Sequence, residues 1–204
     1  MARVNHKRVK QLITQEKHRY SDEQFFTSPL FMNYLQEIAA TQTGRYSPSK
    51  RVSVKVVWAP ENTGYRAATD NRVIWINAGH ESITRLGNRE DRFEDICGLF
   101  AHELAHVLFT DFLGKKACLN RLAYQKWYPD TPDASDPNFP DFESEFWAFC
   151  QEDAKSLEAA RMLISELANI LEDGHIEQRM MYEYPGVLGG NLKNMRKRKH
   201  ADMP

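Results

Sequence analysis

Residues 100–109 read Phe100-Ala101-His102-Glu103-Leu104-Ala105-His106-Val107-Leu108-Phe109, a His-Glu-x-x-His pattern inside an apolar run. With Ile96 and Leu99 the run reads as a buried helix from about Arg89 to Leu113, closed by Gly114. Histidines four apart stand one turn above each other on one face of a helix. Neutral imidazole is a good ligand for Zn²⁺, and this spacing lets both rings reach one ion. Glu103 follows the first histidine, so it sits beside the metal. There a carboxylate takes a proton from a water that the metal has acidified. Two histidines and a glutamate in a buried helix need partners, and a metal supplies one. The pattern points to zinc-assisted hydrolysis, usually of a peptide bond.

Working outward, Val52–Trp58 alternates at first and is β-branched, so it reads as a strand; Arg72–Asn77 is a second, ended by Ala78-Gly79. Asn62-Thr63-Gly64 is turn-like. Residues 4–19 read as a helix with Val4, Val9, Leu12 and Ile13 on one side. Ser28-Pro29 starts another that runs to about Thr43, with Gly44 past its end. After the histidine helix come a helix over Lys116–Trp127 and a loop over Tyr128–Asp141, which holds four prolines and four aspartates. Residues 142–184 contain no proline and only Gly174 as a breaker. Leu157, Met162, Leu163, Leu167, Ile170 and Leu171 recur at heptad-like spacing, as in one long core helix or two joined ones. Beyond Pro185 the chain is glycine-rich, then basic. No internal repeat is visible.

The fold expected is α+β: a small antiparallel or mixed sheet packed on the buried histidine helix, with a mainly helical C-terminal half. One domain would span 1–184, with a helical extension over 1–45, the sheet and metal helix over 46–112 and the helical half over 113–184. Residues 185–204 would be a basic tail or linker. A sheet beside the metal helix offers its edge to an extended peptide.

A chain of 204 residues fits one domain with extensions, and 42% apolar residues suffice for a core. The formal net charge of −1 gives no global field for nucleic acid. Charge is uneven, however. Arg3, Lys7, Arg8, Lys10, Lys17 and Arg19 open the chain, and Lys193, Arg196, Lys197, Arg198 and Lys199 close it. Such ends are more often solvated than nucleic-acid patches. Cys97, Cys118 and Cys150 are odd in number and widely spaced, as expected of reduced thiols in a cytoplasmic protein. The polar, basic N-terminus lacks the apolar stretch of a signal peptide. No apolar run approaches the ~18 residues that span a bilayer.

Catalytic zinc usually has three protein ligands and a water. His106 is followed by Val-Leu-Phe-Thr-Asp-Phe, without the glycine and third histidine of the metzincin pattern, so that class is excluded. The third ligand is then a carboxylate on a later helix. Asn169-Ile170-Leu171-Glu172-Asp173-Gly174-His175-Ile176-Glu177 is the candidate segment. Glu172, His175 and Asn169 share one face, and Asp173 and Glu177 the neighbouring one. If the first face looks at the metal, Glu172 ligates and Asp173 or Glu177 holds a histidine ring from behind. If the second does, Asp173 ligates. Glu172 has the longer reach across helices packed at ~8–10 Å and is the first choice.

The stretch HELAHVLFTDF resembles the metal helix of the gluzincins, a branch of the zincin metallopeptidases. Together with the distant NILEDGHIE it is similar to bacterial metallopeptidase-like domains placed ahead of a von Willebrand factor A-type domain. Those carry an arginine where this chain has His175. The resemblance covers about 25 residues and the order of elements. It implies a zincin-like fold holding one zinc per chain on His102, His106 and Glu172 (alternatively Asp173), with Glu103 as base. It also implies an oxyanion stabiliser, for which His175, Tyr182 and Tyr184 are the candidates.

Two functions compete. One is a cytoplasmic zinc peptidase acting on a peptide or protein. The other is a zincin-like scaffold or regulatory module serving a downstream von Willebrand factor A-type domain or a partner ATPase. A basic-armed nucleic-acid binder ranks last, because the aromatic–basic interleaving of a single-strand platform is missing.

Overall fold

Ser28 caps the first long helix, its hydroxyl accepting from Phe31 N at 3.3 Å, and Pro29 occupies the first turn where no N–H is needed. This helix (α2, Pro29–Tyr46) follows a short one (α1, Asp22–Phe26) closed by a reciprocal capping box between Ser21 and Gln24. α2 continues through Gly44 to a cap at Ser47 rather than stopping at the glycine. The computed structural model describes Val9, Ile13, Thr14 and residues 19–47, 49–122 and 139–201. Most of the helix expected over 4–19 therefore lies outside the described residues, as do residues 123–127 of the helix expected over Lys116–Trp127 and residues 128–138 of the expected loop.

The fold is α+β with a small mixed sheet. β1 (Ser53–Val57) lies parallel to β3 (Val73–Asn77), and β2 (Ala67–Thr69) pairs antiparallel with β3, giving the order β1-β3-β2. Val54 and Val56 point inward from β1 while its neighbours are exposed, the period-2 pattern expected of a half-buried strand. β2 escaped the sequence reading because Ala67-Ala68-Thr69 is too short to show that alternation. The turn that makes it a hairpin partner is visible in hindsight. Asp70 Oδ1 accepts from Arg72 N (2.9 Å) and Val73 N (2.7 Å), and Asn71 takes the left-handed conformation at φ 72°. Buried Asn77 ties the β3 end to the loop after β1. Its Oδ1 accepts from Ala59 N (3.0 Å), and its Nδ2 donates to Ala59 O (2.8 Å).

After a single turn of helix (α3, Glu81–Thr84), Asn88 caps the histidine helix by accepting from Asp91 N at 2.8 Å. That helix (α4, Arg89–Phe109) ends at Thr110, four residues short of the expected Leu113–Gly114 stop. Asp111 starts a new helix (α5, Phe112–Leu122), accepting from Gly114 N at 2.9 Å, so Gly114 belongs to a first turn and not to a last one. α4 contacts α2, β2, β3 and a C-terminal helix (α8, Val187–Ala201). Phe93, Ile96, Phe100 and Leu104 of α4 are almost fully buried. Burying such side chains stabilises the fold by about 1.5–3 kcal/mol each. Phe25, Phe26, Phe31, Tyr34 and Phe93 form an aromatic cluster with centroids 5.2–6.3 Å apart.

Residues 187–201 are not a tail or linker. Leu188, Leu192 and Met195 form a buried helical stripe at i, i+4 and i+7. α8 comes so close to α4 that a Cβ on Gly98 would stand 2.7 Å from Met195 Cβ and 2.9 Å from Asn191 O. Backbone cannot yield as a flexible side-chain tip can. Gly98→Val is therefore expected to destabilise by about 1–3 kcal/mol or more, read as a lower urea midpoint with an unchanged slope.

Two units partition the chain: Met1–Thr110 with His175–Pro204, and Asp111–Gly174. Everything above except α5 belongs to the first. The second holds α5, α6 (Phe139–Glu152) and the opening turns of α7 (Ala154–Glu183). The expected "one long helix or two joined ones" is two, broken at Asp153, whose carboxylate accepts from Ser156 N at 2.7 Å. Cys150, Ala160, Leu157 and Ile164 pack together there. Met162, Leu163, Leu167, Ile170 and Leu171, expected as core, are exposed. All three cysteines are free thiols. Among the described residues no single helix is long and apolar enough to cross a membrane.

Candidate metal centre

α4 sets His102 and His106 one turn apart, with ring centroids 4.9 Å from each other and planes nearly perpendicular. Each ring is held through Nδ1. His102 Nδ1 lies 2.8 Å from Glu177 Oε1, and His106 Nδ1 lies 3.0 Å from Thr110 Oγ1. Thr110 also caps α4, its backbone N–H donating to His106 O at 3.0 Å, so the helix end and the second ring are fixed by one residue. Lys50 adds to that end, donating from Nζ to Val107 O at 2.6 Å, among the last carbonyls of the helix. Glu103 is buried at 7% exposure on the same helix.

Glu177 is itself buried, at 8% exposure, and its other oxygen, Oε2, pairs with Arg196 Nη1 of α8 at 2.7 Å. The result is a chain of contacts, Arg196–Glu177–His102. A carboxylate that accepts from an imidazole N–H fixes the tautomer and the ring orientation. The guanidinium in turn fixes the carboxylate and compensates its buried charge. Glu177 was readable from the sequence as a histidine-holding group. Arg196 was not, because nothing in a run of five cations distinguishes the inward-facing one.

The phase of α7 decides which acidic residue accompanies the histidines. Ile176 and Met180 are buried at 1% and 0%, so they define the inward face, and Glu177 sits on it. One turn earlier on that face is Asp173, at i−4. His102, His106 and Asp173, all half-buried, have ligand atoms within 4.8 Å of one another and form a group able to hold a metal ion. Ligands at ~2.0–2.2 Å from a tetrahedral ion stand roughly 3.4 Å apart. Side-chain rotations of about an ångström would therefore close this set, and its two imidazoles and a carboxylate suit a borderline-soft divalent cation.

Glu172, the first choice for third ligand, is not in this group. It is about 100° further round the helix and pairs with Lys115 Nζ at 3.1 Å. Asn169, on the same face, also meets Lys115. The geometry thus replaces Glu172 with its alternative, Asp173. The oxyanion candidates fare similarly. His175 and Tyr182 are exposed, Tyr182 at 85%. They lie about 160° and 140° round the helix from Glu177, on the far side from His102. Tyr184 is 3.4 Å from Tyr46 Oη, and Tyr46 donates to Glu183 at 2.6 Å, a network that covers Phe109 at the end of α4.

No protein-family profile, curated protein or solved structure matches this chain.

Arg196→Ala should leave the fold intact, since its side chain is about one-third exposed, yet loosen Glu177 and so His102. Loss of an outer partner typically lowers metal affinity ~10–100-fold. Chelator competition should show that drop, and Arg196→Lys should restore part of it.

Proposed function

We propose that this protein is a zinc-dependent metallopeptidase of the zincin type, acting on peptide or protein substrates. The observation that carries the proposal is the grouping of Asp173 of α7 with His102 and His106, which share α4 with Glu103. His102, His106 and Asp173 would hold the zinc. A bound zinc supplies Lewis acidity there, bringing the pKa of water toward about 7 and polarising the scissile carbonyl. Glu103 takes the proton from the attacking water and gives it to the departing amine, the two halves of general acid–base catalysis. Glu177 and Thr110 hold the rings by Nδ1, which makes Nε2 the ligand nitrogen of each. Arg196 keeps Glu177 aimed at His102.

The test is hydrolysis of a broad peptide library by the purified full chain, followed by mass spectrometry. The proposal expects cleavage that a chelator abolishes and added zinc restores. Metal binding without cleavage of any library member would leave the scaffold reading instead.

A further inference from the structure

The basic end of the chain does more than anchor Glu177. Arg66, Arg85, Arg198 and Lys199 line one small cavity with Ser82 and Asp95. They converge from separate parts of the first unit. Arg66 immediately precedes β2, Ser82 and Arg85 belong to α3 and its cap, Asp95 to α4, and Arg198 and Lys199 to α8. The cavity is about 80 Å³ in volume, room for roughly two to three waters at ~30 Å³ each or for one tetrahedral oxyanion. Asp95 is buried and Arg198 half-buried, joined by a 3.3 Å contact from Arg198 Nε to Asp95 Oδ1, while Arg85 and Lys199 are exposed.

One carboxylate faces four cations in this lining. Glu94 and Asp91 reach Arg198 from outside it, at 3.5 and 3.9 Å. Among the described residues, neither Arg66 nor Lys199 has an ion-pair partner. Arg198 Nη2 is shielded from solvent and has no hydrogen-bond acceptor there. A buried charged donor without an acceptor is a costly arrangement that native proteins rarely leave unexplained. An anion in the cavity would give that orphaned donor an acceptor, with Arg66 and Arg85 beside it to add further donors. Four cations with donors from several directions favour a dianionic tetrahedral group over a planar monoanionic carboxylate, and arginine forks match phosphate oxygens.

We propose that this cavity is a binding site for a phosphate group, with Arg66, Arg85 and Arg198 as its donors. Its volume admits the phosphate and no attached sugar or base, so the organic part of an ester would project past Arg85 and Lys199 into solvent. The site shares no residue with the metal centre and stands whether or not the protein cleaves peptides.

The experiment is calorimetric titration of the full chain with inorganic phosphate and with phenyl phosphate. Saturable binding at one site per chain is expected, weakened about tenfold or more by Arg66→Gln and by Arg85→Gln, as loss of one charge-assisted bond implies. These variants are chosen over Arg198 because neither residue is buried, and their thermal midpoints should match wild type. His106→Ala should bind phosphate as wild type does. Competition between the two probes would assign the ligand to esters as well, and its absence would restrict it to inorganic phosphate. Failure to saturate would overturn the proposal, as would wild-type affinity in both arginine variants, or loss of binding only in His106→Ala, which would put the anion at the metal.

Discussion

Glu103→Gln is expected to keep its metal and lose its hydrolysis. The amide is nearly isosteric with the carboxylate, so the packing around this buried position survives. It cannot accept a proton, however. Removing a positioned general base costs ~10²–10⁴-fold in rate, and the loss should fall on kcat with KM little changed, because the interaction is made in the transition state. Zinc content by elemental analysis should equal that of wild type. Loss of zinc in this variant would make Glu103 a ligand, and activity within a few-fold of wild type would remove it from the mechanism.

The second large effect separates two adjacent carboxylates. Asp173→Ala removes a group whose oxygen lies with the two imidazoles, whereas Glu172→Ala removes a partner of Lys115. Losing one of three protein ligands should lower zinc affinity by more than the ~10–100-fold that an outer-shell loss costs. The Lys115–Glu172 pair is partly exposed, and such pairs are worth ~0–1 kcal/mol, so its loss should be barely visible in stability or metal binding. Chelator titration of the two variants side by side reads the difference. Equal affinities, or a larger loss for Glu172→Ala, would return the ligand to Glu172.

That reversal shows where the sequence could be read and where it could not. The histidine pair needed only the helical period and an apolar setting, both present between Ile96 and Phe109. Ser28-Pro29, β1 and β3 were legible for the same reason: each carries its own local signal. The rotation of α7 was not local. Reach argued for Glu172, but the phase is set by burial of Ile176 and Met180, an i, i+4 pair in the same segment that carried the better signal. The row from Met162 to Leu171 looked like a core at heptad spacing and proved exposed. Periodicity specifies that a face is apolar, not what covers it. α8 was hidden by composition. Gly189-Gly190 and five cations outweighed a buried stripe of only three side chains. The neighbour that stripe packs on, the Gly98 surface of α4, lies about ninety residues earlier in the chain. Arg196 and the Arg66–Arg85–Arg198 convergence depend on that packing, and no spacing within one segment could announce them.

The proposed chemistry depends on one metal ion held by His102, His106 and Asp173. Anomalous diffraction at the zinc edge, on crystals of the zinc-loaded full chain, tests it most directly. The expected result is a single strong peak per chain, ~2.0–2.2 Å from one nitrogen each of His102 and His106 and from an oxygen of Asp173. A peak ligated by Glu172, or zinc found only away from the two histidines, would contradict it.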